Sequence, residues 1–207
     1  MTDSPRFTKL RSRAVPLPID NVDTDRIIPA RYLKVTDKNG LGEGLFSDWR
    51  RRADGTPDPE FVLHRPEHQG ARILLAGDNF GCGSSREHAA WALLGAGFRA
   101  VLSTRFADIF RNNSLKNGLL VVEVPVEAWR ELLTAVEREP ALEIEIDLPA
   151  QRVVLPDGSE VPFAIDPFSK RCLLGGVDQL GFLLEQLPAV ERFEAGHPSR
   201  IDSRAQG

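Results

Sequence analysis

The stretch Asp78-Asn79-Phe80-Gly81-Cys82-Gly83-Ser84-Ser85-Arg86-Glu87-His88 constrains this chain more than any other. A short apolar run at residues 73–76 precedes it, and a helix-like segment at 89–94 follows and stops at Gly95 and Gly97. That order predicts a strand, a glycine-rich turn and a helix. Ser84 followed three residues later by Glu87 matches a capping box, which predicts that the first helical turn begins at about Ser85. The unpaired N–H groups and the positive end of the helix dipole then face whatever fills the turn, a natural seat for an anion. Arg86 adds a planar fork of donors suited to a carboxylate or a phosphate. Glycines and a serine cap alone would make an ordinary structural turn. Here, however, two glycines, two adjacent hydroxyls, an arginine, a glutamate and a histidine fall within residues 81–88, more polar chemistry than a turn requires.

Three other glycine-rich loops fail on spacing. The dinucleotide fingerprint G-x-G-x-x-G needs a third glycine where Arg86 stands. A phosphate-binding P-loop needs Gly-Lys-Ser/Thr at a spacing that this chain lacks. A nucleophile elbow G-x-S-x-G starting at Gly83 needs glycine where Glu87 stands. Without that elbow a stand-alone serine hydrolase built on Ser84 or Ser85 with His88 lacks its geometry, because a histidine on the same helix points back over the preceding turn.

Charge and cysteine usage narrow the partners. Lysine and arginine number 26 against 30 aspartate and glutamate, a net charge of −4, whereas a nucleic-acid binder carries a basic excess or stripe. The one basic run, Arg50-Arg51-Arg52, is too short for that role and reads as a solvated loop. No apolar stretch approaches membrane-spanning length, and residues 1–13 lack an apolar signal segment. The expectation is a soluble cytoplasmic protein with neither nucleic acid nor membrane as a partner. Cys82 and Cys172 stand far apart in sequence, so neither a C-x-x-C metal site nor a disulfide framework is indicated. Cys82, at a turn beside a helix start, reads equally as a nucleophile or as a small neutral filler. His64 and His68 share an i, i+4 spacing, but Pro66 between them opposes the helix that would use it. No metal ligand is assigned.

The chain's 207 residues need no more than one core, so a single domain is expected over 1–207, ordered from about 5 to 194 with a tail at 195–207. Residues 14–19 read as a strand, followed by an acidic turn with Asp20, Asp23 and Asp25, at least two of which should cap their own backbone. Residues 36–60, rich in glycine and proline, read as a long loop. Leu41, Leu45, Phe46 and Trp49 within it lack a strand or helix of their own to join and suggest a surface that closes against a partner. Strands follow at 99–103 and 119–124, with a helix between them capped by Ser103 or Thr104 and running to about Arg111. An amphipathic helix covers 127–138. Leu142, Ile144, Ile146 and Leu148 alternate as a half-buried strand, 153–163 folds back through Asp157-Gly158 as a hairpin, and 173–190 turns helical after the Gly175-Gly176 break. The class is α/β, with both parallel and hairpin strand pairings.

The run from Asn79 to Ala89 resembles the signature of the swivelling domain of the aconitase superfamily. Asp20-Asn21-Val22-Asp23-Thr24-Asp25-Arg26-Ile27-Ile28-Pro29-Ala30, then Tyr32-Leu33-Lys34, Gly44-Leu45-Phe46-Ser47-Asp48-Trp49 and Arg105-Phe106-Ala107-Asp108-Ile109-Phe110 narrow the resemblance to the small subunits of 3-isopropylmalate dehydratase, from about residue 5 to 194. It implies a swivelling β/β/α fold like the aconitase C-terminal domain. It also implies a hydro-lyase of leucine biosynthesis that interconverts 2-isopropylmalate and 3-isopropylmalate by dehydration and rehydration through an alkene. In this superfamily the chemistry uses a four-iron four-sulfur cluster held by cysteines, and this chain cannot supply three clustered thiolates. The resemblance therefore implies a large-subunit partner that carries the cluster. It further implies Ser84 as the catalytic base in alkoxide form, Arg86 as the clamp on a substrate carboxylate, Ser85 as a hydrogen-bonding partner of substrate or turn, and Asp25 close to the active site. Glu87 and His88 are left as supports. Tyr32, Leu33 and Lys34 match the family's specificity loop, although Tyr32 and Leu33 also read as an inward-packed loop anchor. Homoaconitate and citraconate hydratases share this small-subunit plan, and a non-catalytic anion-binding module could use the same helix end.

Overall fold

Strand β2 (Ile73–Ala76) is buried along its whole length, as a continuous apolar run requires when both sheet faces are covered. The computed structural model describes residues 6–34 and 40–197. Around β2 stand β1 (Lys9–Leu17), β3 (Ala100–Ser103), β4 (Leu120–Glu123), β5 (Glu143–Asp147), β6 (Arg152–Val154) and β7 (Glu160–Pro162). They form one sheet in the order β4-β3-β2-β1-β5-β6-β7. The β4-β3-β2-β1 half is parallel, and the β1-β5-β6-β7 half is antiparallel. β1 joins the halves: Lys9 to Arg13 pair with β5, and Ala14 to Leu17 pair with β2. The strand therefore starts earlier than its apolar end suggests, because its first residues are held by an antiparallel neighbour far along the chain.

The helices are α1 (Thr24–Ile27), α2 (Glu87–Gly95), α3 (Asp108–Lys116), α4 (Val126–Arg138), α5 (Pro167–Gly175), α6 (Gln179–Glu185) and α7 (Leu187–Gly196). Alternation along the strands sends Leu74, Ala76, Val101 and Val121 to a core shared with α2 and α3. Ile73, Leu75, Leu102 and Val122 face the opposite way, into a core covered by α4 and the antiparallel strands. The amphipathic helix, the half-buried strand and the Asp157-Gly158 hairpin form as the sequence predicts. Residues 198–207, most of the expected tail, lie outside the described residues.

Two expectations are corrected. Neither Ser103 nor Thr104 caps a helix: α3 begins at Asp108 behind Ala107 with no side-chain cap. The buried Ser103 hydroxyl instead donates to the carbonyls of Gly77 and Arg105 at 2.7 and 2.8 Å, which ties the ends of β2 and β3 together. The second correction concerns the stretch after residue 40; Thr36 to Asn39 lie outside the described residues. Leu41, Leu45 and Phe46 are fully buried and Trp49 packs on the same core, so these side chains close on their own sheet. The reason is tertiary. Gly42 lies against the C-terminal end of α2, where a Cβ would come within 2.4 Å of the Gly95 carbonyl carbon, and the Phe46 N–H donates to Ile27 at 2.9 Å. The half-buried Arg50 guanidinium donates to the carbonyls of Gly42 and Leu45 and to His64 Nε2. The amides of Phe46, Trp49 and Arg50, all bonded within this segment or to Ile27, should therefore exchange slowly in the chain alone. Hydrogen exchange with and without a partner checks this; protection that appears only in the complex would contradict it.

Candidate active site

The loops that follow β1, β2 and β3 meet at the C-terminal edge of the parallel half-sheet, the edge where open α/β sheets bind ligands. The turn after β2 is clamped from both sides. On the β1 side, Asn21 and Thr24 donate their N–H groups to the carbonyls of Asp78 and Cys82 at 2.8 and 2.9 Å, and Gly81 N–H donates to Val22 at 2.8 Å. On the β3 side, Phe80 and Ala107 exchange backbone bonds with Arg105 and Phe80. Side chains complete the frame. Asp20 accepts from the Asp78 N–H at 2.7 Å, Asn79 donates to Asn21, and the Asp78 carboxylate accepts from Thr104 and Arg105 at 2.8 and 2.6 Å. Thr24 Oγ1 donates to the Ser84 carbonyl at 2.9 Å.

Gly81 and Gly83 have φ of 78° and 90°, a region that favours glycine. At Gly81 space matters as well, since a Cβ would sit 2.2 Å from the Phe110 ring, itself edge-on to Phe80 at 5.3 Å.

The capping box does not form. α2 begins at Glu87, not near Ser85, and Arg86 occupies its N-cap position with no side-chain cap. Glu87 reaches away to α3, where it accepts from Asn117 Nδ2 at 2.7 Å and lies 3.6 Å from Lys116 Nζ. The same Asn117 accepts from Trp91 at 2.7 Å. The start of α2 is thus pinned to the end of α3, while its first N–H groups are left without a side-chain cap. Ser84 and Ser85 are exposed beside that helix end, and their hydroxyls bond to no other described residue. His88 lays its ring on Trp91 at 4.7 Å, a packing role.

Of the acidic turn, Asp23 caps α1 by accepting from Arg26 N–H at 2.7 Å, and Asp20 supports Asp78. Asp25 pairs with Arg86 across the site. The Arg86 side chain is only 15% exposed, against 54% for Asp25, so the guanidinium is set into the protein and the carboxylate covers it from the solvent side. Ala30–Tyr32 form a 3₁₀ turn after α1. Tyr32 and Leu33 lean on the core, Gly44 leaves room for the Tyr32 ring, and Lys34 is exposed. The structure thus brings Asp25, Ser84, Ser85 and Arg86 into one place and anchors Tyr32 and Leu33 on the apolar side of the preceding loop. The supports at Thr104 and Asn117 lie outside every motif quoted from the sequence, whereas Thr24, Asp78 and Arg105 lie inside such motifs without a local signal of their supporting role.

A four-iron four-sulfur cluster does not fit this donor set. Cys82 lies in the turn, whereas Cys172 lies on α5, which packs against the opposite end of β1 through Phe7 N–H and Leu173. Burial, and then the charge of Asp23, pushes the Cys82 thiol up; burial does the same at Cys172. Both thiols thus favour the neutral form, the opposite of a ligand or nucleophile. Among the described residues no group of three or more His, Cys, Asp or Glu side chains is placed to hold a metal, and no helix is long and apolar enough to cross a membrane.

The aconitase C-terminal domain profile matches residues 4–127, and a LeuD_N profile matches residues 130–167. A 3-isopropylmalate dehydratase small subunit from Roseiflexus sp. is 60% identical over 95% of this chain and 97% of its own length. The small subunit from Anaeromyxobacter dehalogenans is 62% identical over 90% of this chain and 96% of its own. The crystal structure of a 3-isopropylmalate dehydratase (leuD) from Methanocaldococcus jannaschii superposes with a TM-score of 0.65 at 27% identity, covering 89% of this chain and 99% of that one. With motif, fold and near full-length likeness in agreement, the chain belongs to the family of 3-isopropylmalate dehydratase small subunits within the aconitase superfamily.

Proposed function

We propose that this chain is the small subunit of a cytoplasmic hydro-lyase that interconverts 2-isopropylmalate and 3-isopropylmalate through 2-isopropylmaleate, in leucine biosynthesis. Its partner is a large subunit that carries the four-iron four-sulfur cluster, and neither nucleic acid nor membrane is involved. The observation that carries this reading is the exposed Ser84-Ser85 pair beside an inset Arg86 at the uncapped start of α2.

In this reading the substrate carboxylate takes over Arg86 from Asp25, which stays at the rim of the site. The exchange replaces one carboxylate by another on the same guanidinium, so the partly buried cation is never left unpaired. Ser84 Oγ then accepts the proton from the carbon next to that carboxylate, and returns a proton on rehydration. A serine hydroxyl is a very weak acid, so the alkoxide needs a positive setting. The first N–H groups of α2 and the Arg86 charge contribute to it from this chain. Ser85 hydrogen-bonds the substrate, and departure of the hydroxyl is left to the partner. Tyr32 and Leu33 supply an apolar wall for the substituent that distinguishes related hydroxy acids, with Lys34 at its edge.

Reconstitution tests the proposal. The chain alone should show no turnover of isopropylmalate and should hold no stoichiometric iron after anaerobic treatment with iron and sulfide. Addition of the cluster-loaded large subunit should restore turnover. A stable cluster on the isolated chain, or a loaded pair that turns over citraconate or homoaconitate but not isopropylmalate, would refute the assignment as stated.

A further inference from the structure

Ser84 and Ser85 stand in a stretch with little to hold them. Gly83 before them has a φ of 90°, a backbone region that glycine enters freely, and α2 does not begin until Glu87. Residues 84–86 thus belong to neither strand nor helix. Among the described residues a single hydrogen bond reaches the Ser84-Ser85 pair: Thr24 Oγ1 donates to the Ser84 carbonyl at 2.9 Å. The donor itself is firmly set. Thr24 is 1% exposed, it opens α1, and its own N–H donates to the Cys82 carbonyl at 2.9 Å. Its neighbours extend the grip, since Asp23 bridges to Cys82 in parallel pairing and Asp25 pairs with Arg86. Three consecutive residues at the start of α1 therefore hold every second residue of the turn: 23 against 82, 24 against 84 and 25 against 86.

We propose that Thr24 is the positioning residue for Ser84, and that the first turn of α1 is the template that fixes the base relative to the Arg86 clamp. The inference rests on the reading of Ser84 as the base and adds what aims it. A peptide left to turn on both sides spreads Ser84 Oγ over several directions, and only the direction that meets the substrate carbon reacts. The Thr24 bond fixes the plane of the Ser84–Ser85 peptide before substrate arrives. Threonine suits the task because its branched Cβ is stiff at χ1, so the buried methyl group and the aimed hydroxyl hold one another in place. The carbonyl of Ser84 and the N–H of Ser85 share one peptide unit, and a bond to the first polarises the second. Ser85 is thereby made a better donor beside the developing charge on Ser84.

Thr24→Val, which keeps the shape of the side chain and removes the donor, tests this in the cluster-loaded two-subunit enzyme. It should lower kcat by about 10- to 100-fold, the scale of loss that a misplacement of about 1 Å produces, and leave KM nearly unchanged. Thr24→Ser restores the hydroxyl and should recover most of the loss. In a Ser84→Ala background Thr24→Val should cost nothing further, because the two residues act as one unit. In the full chain without its partner, the amide resonance of Ser85 should move in Thr24→Val and return towards its wild-type position in Thr24→Ser. Near-normal kcat in Thr24→Val, a further loss in the Ser84→Ala background or an unmoved Ser85 resonance each overturns the proposal. A loaded wild-type pair that leaves isopropylmalate unchanged sinks the dehydratase reading instead, and the Ser85 resonance then supports or overturns the tether by itself.

Discussion

Ser84→Ala is expected to lower turnover of the two-subunit enzyme by about 100- to 10,000-fold, the range that a positioned general base contributes, while leaving assembly and melting temperature nearly unchanged. The structure separates the two effects because Ser84 does not cap α2. Arg86 occupies the N-cap position, the Ser84 side chain is exposed, and the contact that holds this residue runs through its backbone carbonyl to Thr24. Alanine keeps that carbonyl, so stability should change by no more than about 0.5 kcal/mol. Arg86→Lys is the matching control. Lysine keeps the charge but loses the planar fork, so carboxylate binding weakens in ground and transition states alike, by roughly 1–3 kcal/mol. That loss should appear mainly in KM. Steady-state kinetics and thermal melting on the same complexes decide the matter. Near-normal kcat in Ser84→Ala would remove Ser84 from the chemistry.

Gly81→Ala should be the most damaging small substitution in the turn. Its φ of 78° costs an alanine about 1–2 kcal/mol. Its Cβ would also collide with the Phe110 ring at 2.2 Å, in a core where overpacking adds about 1–3 kcal/mol. Together these should lower the melting temperature by roughly 10 °C in a chain of this size and displace the residues that lead into Ser84. Gly83→Ala isolates the backbone part, because its φ is 90° but the nearest atom to an added Cβ lies 3.4 Å away. It should cost only the left-handed strain. Adding Phe110→Leu to Gly81→Ala should recover part of the difference by making room. Equal melting temperatures for Gly81→Ala and Gly83→Ala would show that the Phe110 contact carries no weight.

What the sequence alone determined was local chemistry and kinship. An unbroken apolar run, a glycine-rich turn and a helix-like segment placed β2, the turn and α2 to within a few residues, because burial on both faces and the left-handed φ of glycine are demands that neighbouring residues satisfy by themselves. Ordered motifs placed the chain in its family. Tertiary structure decided the partners of each polar side chain. Glu87 has the spacing of a capping residue, yet Asn117 at the end of α3 offers it an amide already oriented by Trp91, and a pre-positioned donor outcompetes a local bond. Ser103 likewise gives up a helix cap for the carbonyl of Gly77, just past the end of the neighbouring strand β2. Leu45 and Phe46 stand in a stretch with no periodicity of its own, and they became core because Gly42 lets that stretch close on α2. Asp25 and Arg86 are 61 positions apart; only the parallel pairing of β1 with β2 brings the loops that carry them to the same edge, where opposite charge does the rest.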